Sequence, residues 1–150
     1  MRGEGDNPDG LDDAHLIAMP EVGLWLHDPN PAVTRAGLVQ TVAEPLNARP
    51  IDRRIAFLVG ETPSASPFAR SRRIIASVPW DEKALHKELA TLDAGAIDIR
   101  RRGLAGDVDA IARRLRKRLR KGATRSCWIA MTRVDDQPWA IVCAEDASGT

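Results

Sequence analysis

Nowhere in the 150 residues do apolar positions run to the 18 or more that span a bilayer, and the first residues, Met1-Arg2-Gly3-Glu4-Gly5-Asp6, are polar and acidic rather than signal-like. The sequence predicts a cytoplasmic protein with no membrane contact. Histidine and cysteine are also scarce: His15, His27 and His86 stand apart from one another and from Cys127 and Cys143, so no metal-ligand spacing occurs. No G-x-G-x-x-G follows a strand, and neither G-x-x-x-x-G-K-[ST] nor H-E-x-x-H is present. Ser64, Ser66 and Ser71 are expected in a flexible linker with no nearby histidine, while Asp135-Asp136 reads as turn chemistry rather than a carboxylate pair. These absences predict a chain with no catalytic constellation, no cofactor and no metal.

Positive charge is not scarce, but it is unevenly placed. The formal net charge is only +1, yet 11 of the 22 Lys and Arg residues lie between Arg100 and Arg125. Residues 1–70 hold six basic and ten acidic residues, whereas residues 71–150 hold sixteen and eleven. Concentration of this kind in a nearly neutral chain points to a polyanionic partner.

The run Asp107 to Lys121 predicts an amphipathic helix. Val108, Ile111, Ala112, Leu115 and Leu119 recur on one face, and Arg113, Arg114, Arg116, Lys117, Arg118, Arg120 and Lys121 fill the rest. Asp107 and Asp109 suit the first turn, the cations suit the last, and Gly122 is a natural stop. A solvated charged face is the plain alternative. No acidic residue lies between Arg113 and Lys121, however, so i to i+4 salt bridges within the helix cannot neutralise it. Trp25, Trp80, Trp128 and Trp139 could stack on bases but fit core positions better, Trp80 being the most accessible candidate.

Organisation follows from punctuation along the chain. Residues 1–20 predict a disordered lead rich in Gly, Asp and Pro. Val22 to His27 reads as a strand, Asn30-Pro31 opens a helix running to about Glu44, and Pro45 ends it. Ile55 to Val59 is a short buried strand, and Thr62 to Pro67 is a linker by composition. Beyond it the order is strand (73–78), helix capped by Asp81, strand (96–99), basic helix, and a hairpin of Ser126–Arg133 with Gln137–Cys143. Pairing Met131 with Trp139 sets Ile129 opposite Ile141 and Cys127 opposite Cys143, giving one wholly apolar face. Two buried free thiols are expected there rather than a disulfide. The expected class is α+β, with helices over one sheet face.

Several words of this sequence carry a resemblance: Trp25-Leu26-His27-Asp28-Pro29-Asn30-Pro31-Ala32-Val33 with Arg35-Ala36-Gly37-Leu38-Val39, then Ile55-Ala56-Phe57-Leu58, Ser66-Pro67-Phe68, Val78-Pro79-Trp80 with Lys83, Ile99-Arg100-Arg101-Arg102-Gly103, and Thr132-Arg133-Val134. Over about residues 22–144 the chain resembles the C-terminal region of actinobacterial class I S-adenosylmethionine-dependent methyltransferases, which ends in a THUMP-like domain. The resemblance implies a small β-α-β-α-β-β THUMP-like domain over 67–146 with a tail at 147–150. It further implies that residues 21–66 are a helix-strand connector belonging to a methyltransferase domain. That domain's cofactor loop and catalytic loop would precede Val22, where no matching residues stand, so a truncated or split member is expected.

THUMP domains are implied RNA binders that present tRNA to an attached modifying domain. The expected partner is therefore RNA, tRNA or ribosomal RNA, contacted by Arg100, Arg101, Arg102 and the helix cations Arg113 to Lys121 named above. A separate Rossmann-fold methyltransferase chain is a second expected partner. Two other readings stay open at this stage: a protein-interaction module docking its basic helix on an acidic surface, and a methyltransferase by family only.

Overall fold

The structure, a computed structural model, describes residues 17–65 and 67–145. Most of the expected lead and the expected tail lie outside the described residues. Residues 17–20 already belong to the fold: Ala18 donates its N–H to the Pro50 carbonyl at 2.9 Å, and Pro20 is buried.

Eleven elements follow in chain order: β1 (Trp25–Pro29), α1 (Pro31–Arg35), α2 (Val39–Leu46), β2 (Arg49–Asp52), β3 (Ile55–Gly60), β4 (Ala69–Pro79), α3 (Glu82–Thr91), β5 (Ala94–Arg101), α4 (Val108–Lys117), β6 (Arg125–Val134) and β7 (Gln137–Ala144). The α+β class and the β-α-β-α-β-β order from β4 onward agree with the sequence reading. Asn30, Asp81 and Asp107 cap their helices by accepting N–H groups of the first turn.

The first half departs from expectation in three places. The single helix over 31–44 is two, because Gly37 adopts φ +73°, a left-handed conformation that interrupts the helical ladder. Pro45 does not end α2 but sits in its last turn, and Asn47, with φ 51°, makes the left-handed cap. β2 has no counterpart in the reading, since its four residues Arg49-Pro50-Ile51-Asp52 show no alternation long enough to register.

Seven strands form one sheet in the order β2-β3-β1-β4-β7-β6-β5. All neighbours are antiparallel except β5 and β6, which run parallel and are joined through α4. Strand β4 ties the two halves: its start pairs with β1, Ala69 to Arg73, and its end with β7, Ile74 to Pro79. On one face α3 and α4 pack over Ala76, Ile97, Ile99, Cys127, Ile129, Met131, Ala140 and Val142. On the other, β1, β2 and β3 contribute Leu26, Ile51, Ile55, Phe57 and Val59 to a core shared with Ile74, Trp128, Ala130, Val134, Ile141 and Cys143. Backbone bonds from the hairpin tip lock this second layer: Asp135 N–H to Ile51 O at 2.9 Å and Asp136 N–H to the Asp52 Oδ2 at 2.6 Å.

The hairpin register differs by one residue from the sequence reading. Met131 pairs with Ala140, Ile129 with Val142, and Trp128 with Cys143, because Val134 and Gln137 close a two-residue turn. Both turn residues have positive φ, Asp135 at 48° and Asp136 at 69°, the geometry of a I′ hairpin turn. Sequence alone could not separate the two registers, since both faces of this hairpin are apolar and a one-residue slip still buries apolar side chains. The consequence for the cysteines is decisive. Cys127 lies in the core under the helices and Cys143 in the opposite core, so the sheet stands between two buried free thiols. Burial pushes both thiols above their ordinary value, Cys143 most.

Candidate nucleic-acid interface

Helix α4 is amphipathic as its spacing requires: Ile111, Ala112 and Leu115 are buried, Leu115 completely, while Arg113, Arg114, Arg116 and Lys117 are exposed. The helix is shorter than the pattern suggested. It ends at Lys117, so Arg118 is its C-cap, and Arg120 and Lys121 belong to the turn before Gly122, whose φ is +86°. Leu119 still packs partly on the core, so the apolar stripe outlasts the helix itself.

Neutralisation comes from other elements rather than from within α4. Glu82, at the start of α3, accepts from Arg114 Nε at 2.9 Å and Nη2 at 2.8 Å, a bidentate pair that ties the two helices. The Arg114 hydrogen bond, ahead of any other influence, holds the Glu82 carboxyl below its ordinary value. Arg120 pairs with Asp93, and Arg116 donates to the Ile97 carbonyl at 3.2 Å. Arg113, Lys117 and Lys121 have no acidic partner among the described residues, and Arg118 makes no salt bridge there but lies close enough to Glu82 to help hold its carboxyl down.

Of the arginines in Arg100-Arg101-Arg102-Gly103, Arg100 and Arg102 do not join this surface. Alternation along β5 places Ile97 and Ile99 toward the helices, and Arg100 and Arg102 on the opposite face. Arg100 lies 3.5 Å from Asp98, and Arg101 donates to the Gly106 carbonyl at 3.3 Å. Arg102 pairs with Asp28 of β1 at 2.8 Å, and its guanidinium covers the Phe57 ring at 4.6 Å from the centroid. Its backbone is fixed as well, by Arg102 N–H to Met131 O at 3.0 Å and by Thr132 Oγ1–H to Arg102 O at 2.7 Å. Gly103 is required where it stands: φ is +83°, and a Cβ there would lie 2.5 Å from Ile55 Cδ1.

The sequence reading named ten cations as phosphate contacts, and the fold divides them between two faces. It also missed Arg70 and Arg72 on β4. Together with Asp28, Phe57, Arg100, Arg101, Arg102 and Trp128 these line a cleft of about 370 Å³. Arg72 is 7% exposed, its guanidinium lies 4.1 Å from the Trp128 ring centroid, and its Nε donates to nothing among the described residues. Of the other tryptophans, Trp80 and Trp139 pack partly against the two cores, Trp139 donating from Nε1 to Ser77 Oγ at 2.8 Å.

One pairing overturns the statement that the linker serines have no histidine nearby. The β1–β4 register sets His27 opposite Ser71, with Nδ1 at 2.8 Å from Oγ, and Ser71 Oγ also accepts the Ser64 N–H at 2.8 Å. This is a buried structural contact rather than an activated nucleophile: His27 is wholly buried, and no carboxylate orients its Nε2, which is left without a partner. Burial drives the imidazole down to about 4. Among the described residues no group of three or more His, Cys, Asp or Glu could hold a metal, and no helix is long and apolar enough to cross a membrane.

Comparison with known proteins agrees with this architecture. The chain is 35% identical over 125 residues to uncharacterized S-adenosylmethionine-dependent methyltransferases from two strains of Mycobacterium tuberculosis, CDC 1551 and H37Rv. The match takes in 83% of this chain and 33% of each relative, so the chain spans about a third of their length. A solved structure described as "putative methyltransferase from Porphyromonas gingivalis W83" shares the fold, with TM-score 0.58 and 17% identity over 88% of this chain and 32% of that one. A family profile described as THUMP domain-like matches residues 69–145, from the first residue of β4 to just past the end of β7. The chain belongs to the THUMP domain-like family.

Proposed function

We propose that the chain is an RNA-binding accessory module, for tRNA or ribosomal RNA, of an S-adenosylmethionine-dependent RNA methyltransferase whose catalytic domain lies outside these residues. The observation that carries the reading is the outer face of α4 and its following turn. There Arg113, Lys117, Arg118 and Lys121 stand exposed with no salt bridge among the described residues, only Arg118 lying near a carboxylate, that of Glu82, while the opposite stripe of the helix is anchored in the core. Cations held on a rigid element and left uncompensated suit a polyphosphate, which they contact for affinity and position rather than sequence. The family membership and the methyltransferase relatives supply the enzymatic context.

Residues before β4 suit attachment to that catalytic domain. Val22 and Leu38, 64% and 48% exposed, are large apolar side chains left at the surface of the first half of the chain. The boundary proposed at residues 66/67 separates sequence functions rather than layers, because β4 belongs to both halves of the sheet. Cytoplasmic residence accompanies this role.

Fluorescence anisotropy with a labelled tRNA tests the proposal. Saturable binding is expected at low ionic strength, and exchanging Arg113, Lys117, Arg118 and Lys121 together for Gln should weaken it by about 100-fold or more, at roughly 1 kcal/mol for each of several phosphate contacts. Retained affinity in a folded quadruple variant would move the interface off α4. No binding to tRNA or ribosomal RNA by the native chain would favour a basic face that docks an acidic protein surface.

A further inference from the structure

The cleft on the face away from α4 has the properties of a built anion site. Five arginines line it, Arg70 and Arg72 on β4 and Arg100, Arg101 and Arg102 at the end of β5, the Arg101 guanidinium being turned to the Gly106 carbonyl. Three carboxylates oppose them: Asp28 on Arg102 at 2.8 Å, Asp98 on Arg100 at 3.5 Å, and Glu145 at 3.9 Å from Arg72. With Arg101 turned to Gly106, four guanidiniums face three carboxylates, and the cleft keeps an excess of positive charge.

Arg72 is the group that the protein leaves incomplete. Its side chain is only 9% exposed, and Glu145 is too distant to accept a hydrogen bond from Nε. A buried, charged donor with no acceptor is costly, which leaves Arg72 short of a partner beside the cleft it lines. The ring of Trp128 beneath Arg72 and that of Phe57 beneath Arg102 fix both guanidiniums flat. Their N–H edges are thus held in advance of any ligand, the geometry in which arginine forks suit phosphate oxygens.

We infer that this cleft binds a phosphate monoester, with Arg70, Arg72 and Arg102 as its principal donors and Arg100 and Arg101 at its rim. The excess of positive charge favours a phosphate dianion over a singly charged phosphodiester. At about 370 Å³ the space is at the small end of ligand sites and suits a phosphate with at most a nucleoside attached. The site does not rest on the RNA reading of α4, because its residues lie on the other side of the sheet.

Arginine Nε–H resonances of the whole chain, followed by NMR during titration with inorganic phosphate at constant ionic strength, test the assignment. The Arg72 Nε–H signal should shift saturably, with acetate binding at least about tenfold more weakly. Arg72→Met should abolish the site. Should that variant fail to fold, Arg70→Gln, at an exposed position, should still weaken phosphate by about tenfold. The quadruple α4 variant should titrate as the native chain does, which separates this site from the RNA proposal.

Further arms identify the source. A ribonucleoside 5′-monophosphate binding no better than inorganic phosphate marks a free-phosphate site. Tighter binding of a 5′-phosphorylated oligoribonucleotide than of its 5′-hydroxyl form marks a strand end. Equal shifts with acetate, no saturable shift, or no effect of Arg70→Gln would each overturn the assignment.

Discussion

Leu115→Ala lowers the unfolding free energy by about 2–5 kcal/mol, the range for truncating a large buried apolar side chain that leaves a cavity. Leu115 has no exposed surface and joins α4 to Leu85, Leu89, Ile97 and Ile129 in the core beneath both helices. Arg113→Ala, two residues away on the outer face, costs less than about 0.5 kcal/mol, since that side chain has no partner to lose. Urea unfolding of the two variants gives the comparison directly. Equal losses of midpoint would mean that the burial of α4 is misplaced by part of a turn. The same result would remove the argument that its cations are free to bind.

Acid destabilises this protein through one residue in particular. His27 is wholly buried, and burial lowers its pKa from 6.5 to about 4. The unfolded chain therefore takes up a proton as pH falls through about 6.5, whereas the folded chain resists until about 4. Between those values the unfolded state binds more protons, so stability falls as pH falls, by up to about 3 kcal/mol at 1.36 kcal/mol per unit. Below pH 4 both states are protonated and the loss from this group stops. Urea midpoints of the native chain and of His27→Gln, compared across that window, should diverge at neutral pH and converge toward acid. Parallel profiles for the two proteins would show that His27 is not held neutral by its surroundings.

Much of the second half of the fold was legible because its signals are local. Asp81 and Asp107 precede periodic apolar residues, Gly95 and Gly122 punctuate, and Asp135-Asp136 separates two apolar runs, so the elements of residues 69–144 could be placed in order. The register was not legible, because the turn type that fixes it depends on two aspartates adopting positive φ. A three-residue loop fits the same letters. The helix break at Gly37 was hidden for a similar reason, since glycine inside an otherwise helical pattern is tolerated as often as it interrupts.

The site was legible only in its charge. A run of cations in sequence reads as one surface, but the alternation of the strand turns Arg100 and Arg102 to the face of the sheet opposite the helix cations Arg113–Lys117. Arg70 and Arg72 gave no signal: they alternate with Ala69, Ser71 and Arg73 on a strand expected to begin later. Only the pairing of β4 with β1 brings them beside Arg102 and Trp128. Glu82 and Asp93, which neutralise Arg114 and Arg120, lie 32 and 27 residues away and are equally invisible to an i to i+4 search.

The central claim, that the outer face of α4 meets RNA phosphates, is tested most directly by the salt dependence of tRNA affinity. If Arg113, Lys117, Arg118 and Lys121 each displace a counterion, log affinity should fall with log salt at a slope steeper by about 3 units in the native chain than in the quadruple Gln variant, at about 0.7–0.9 per contact. Native and variant slopes that coincide, in proteins of equal stability, would contradict the account.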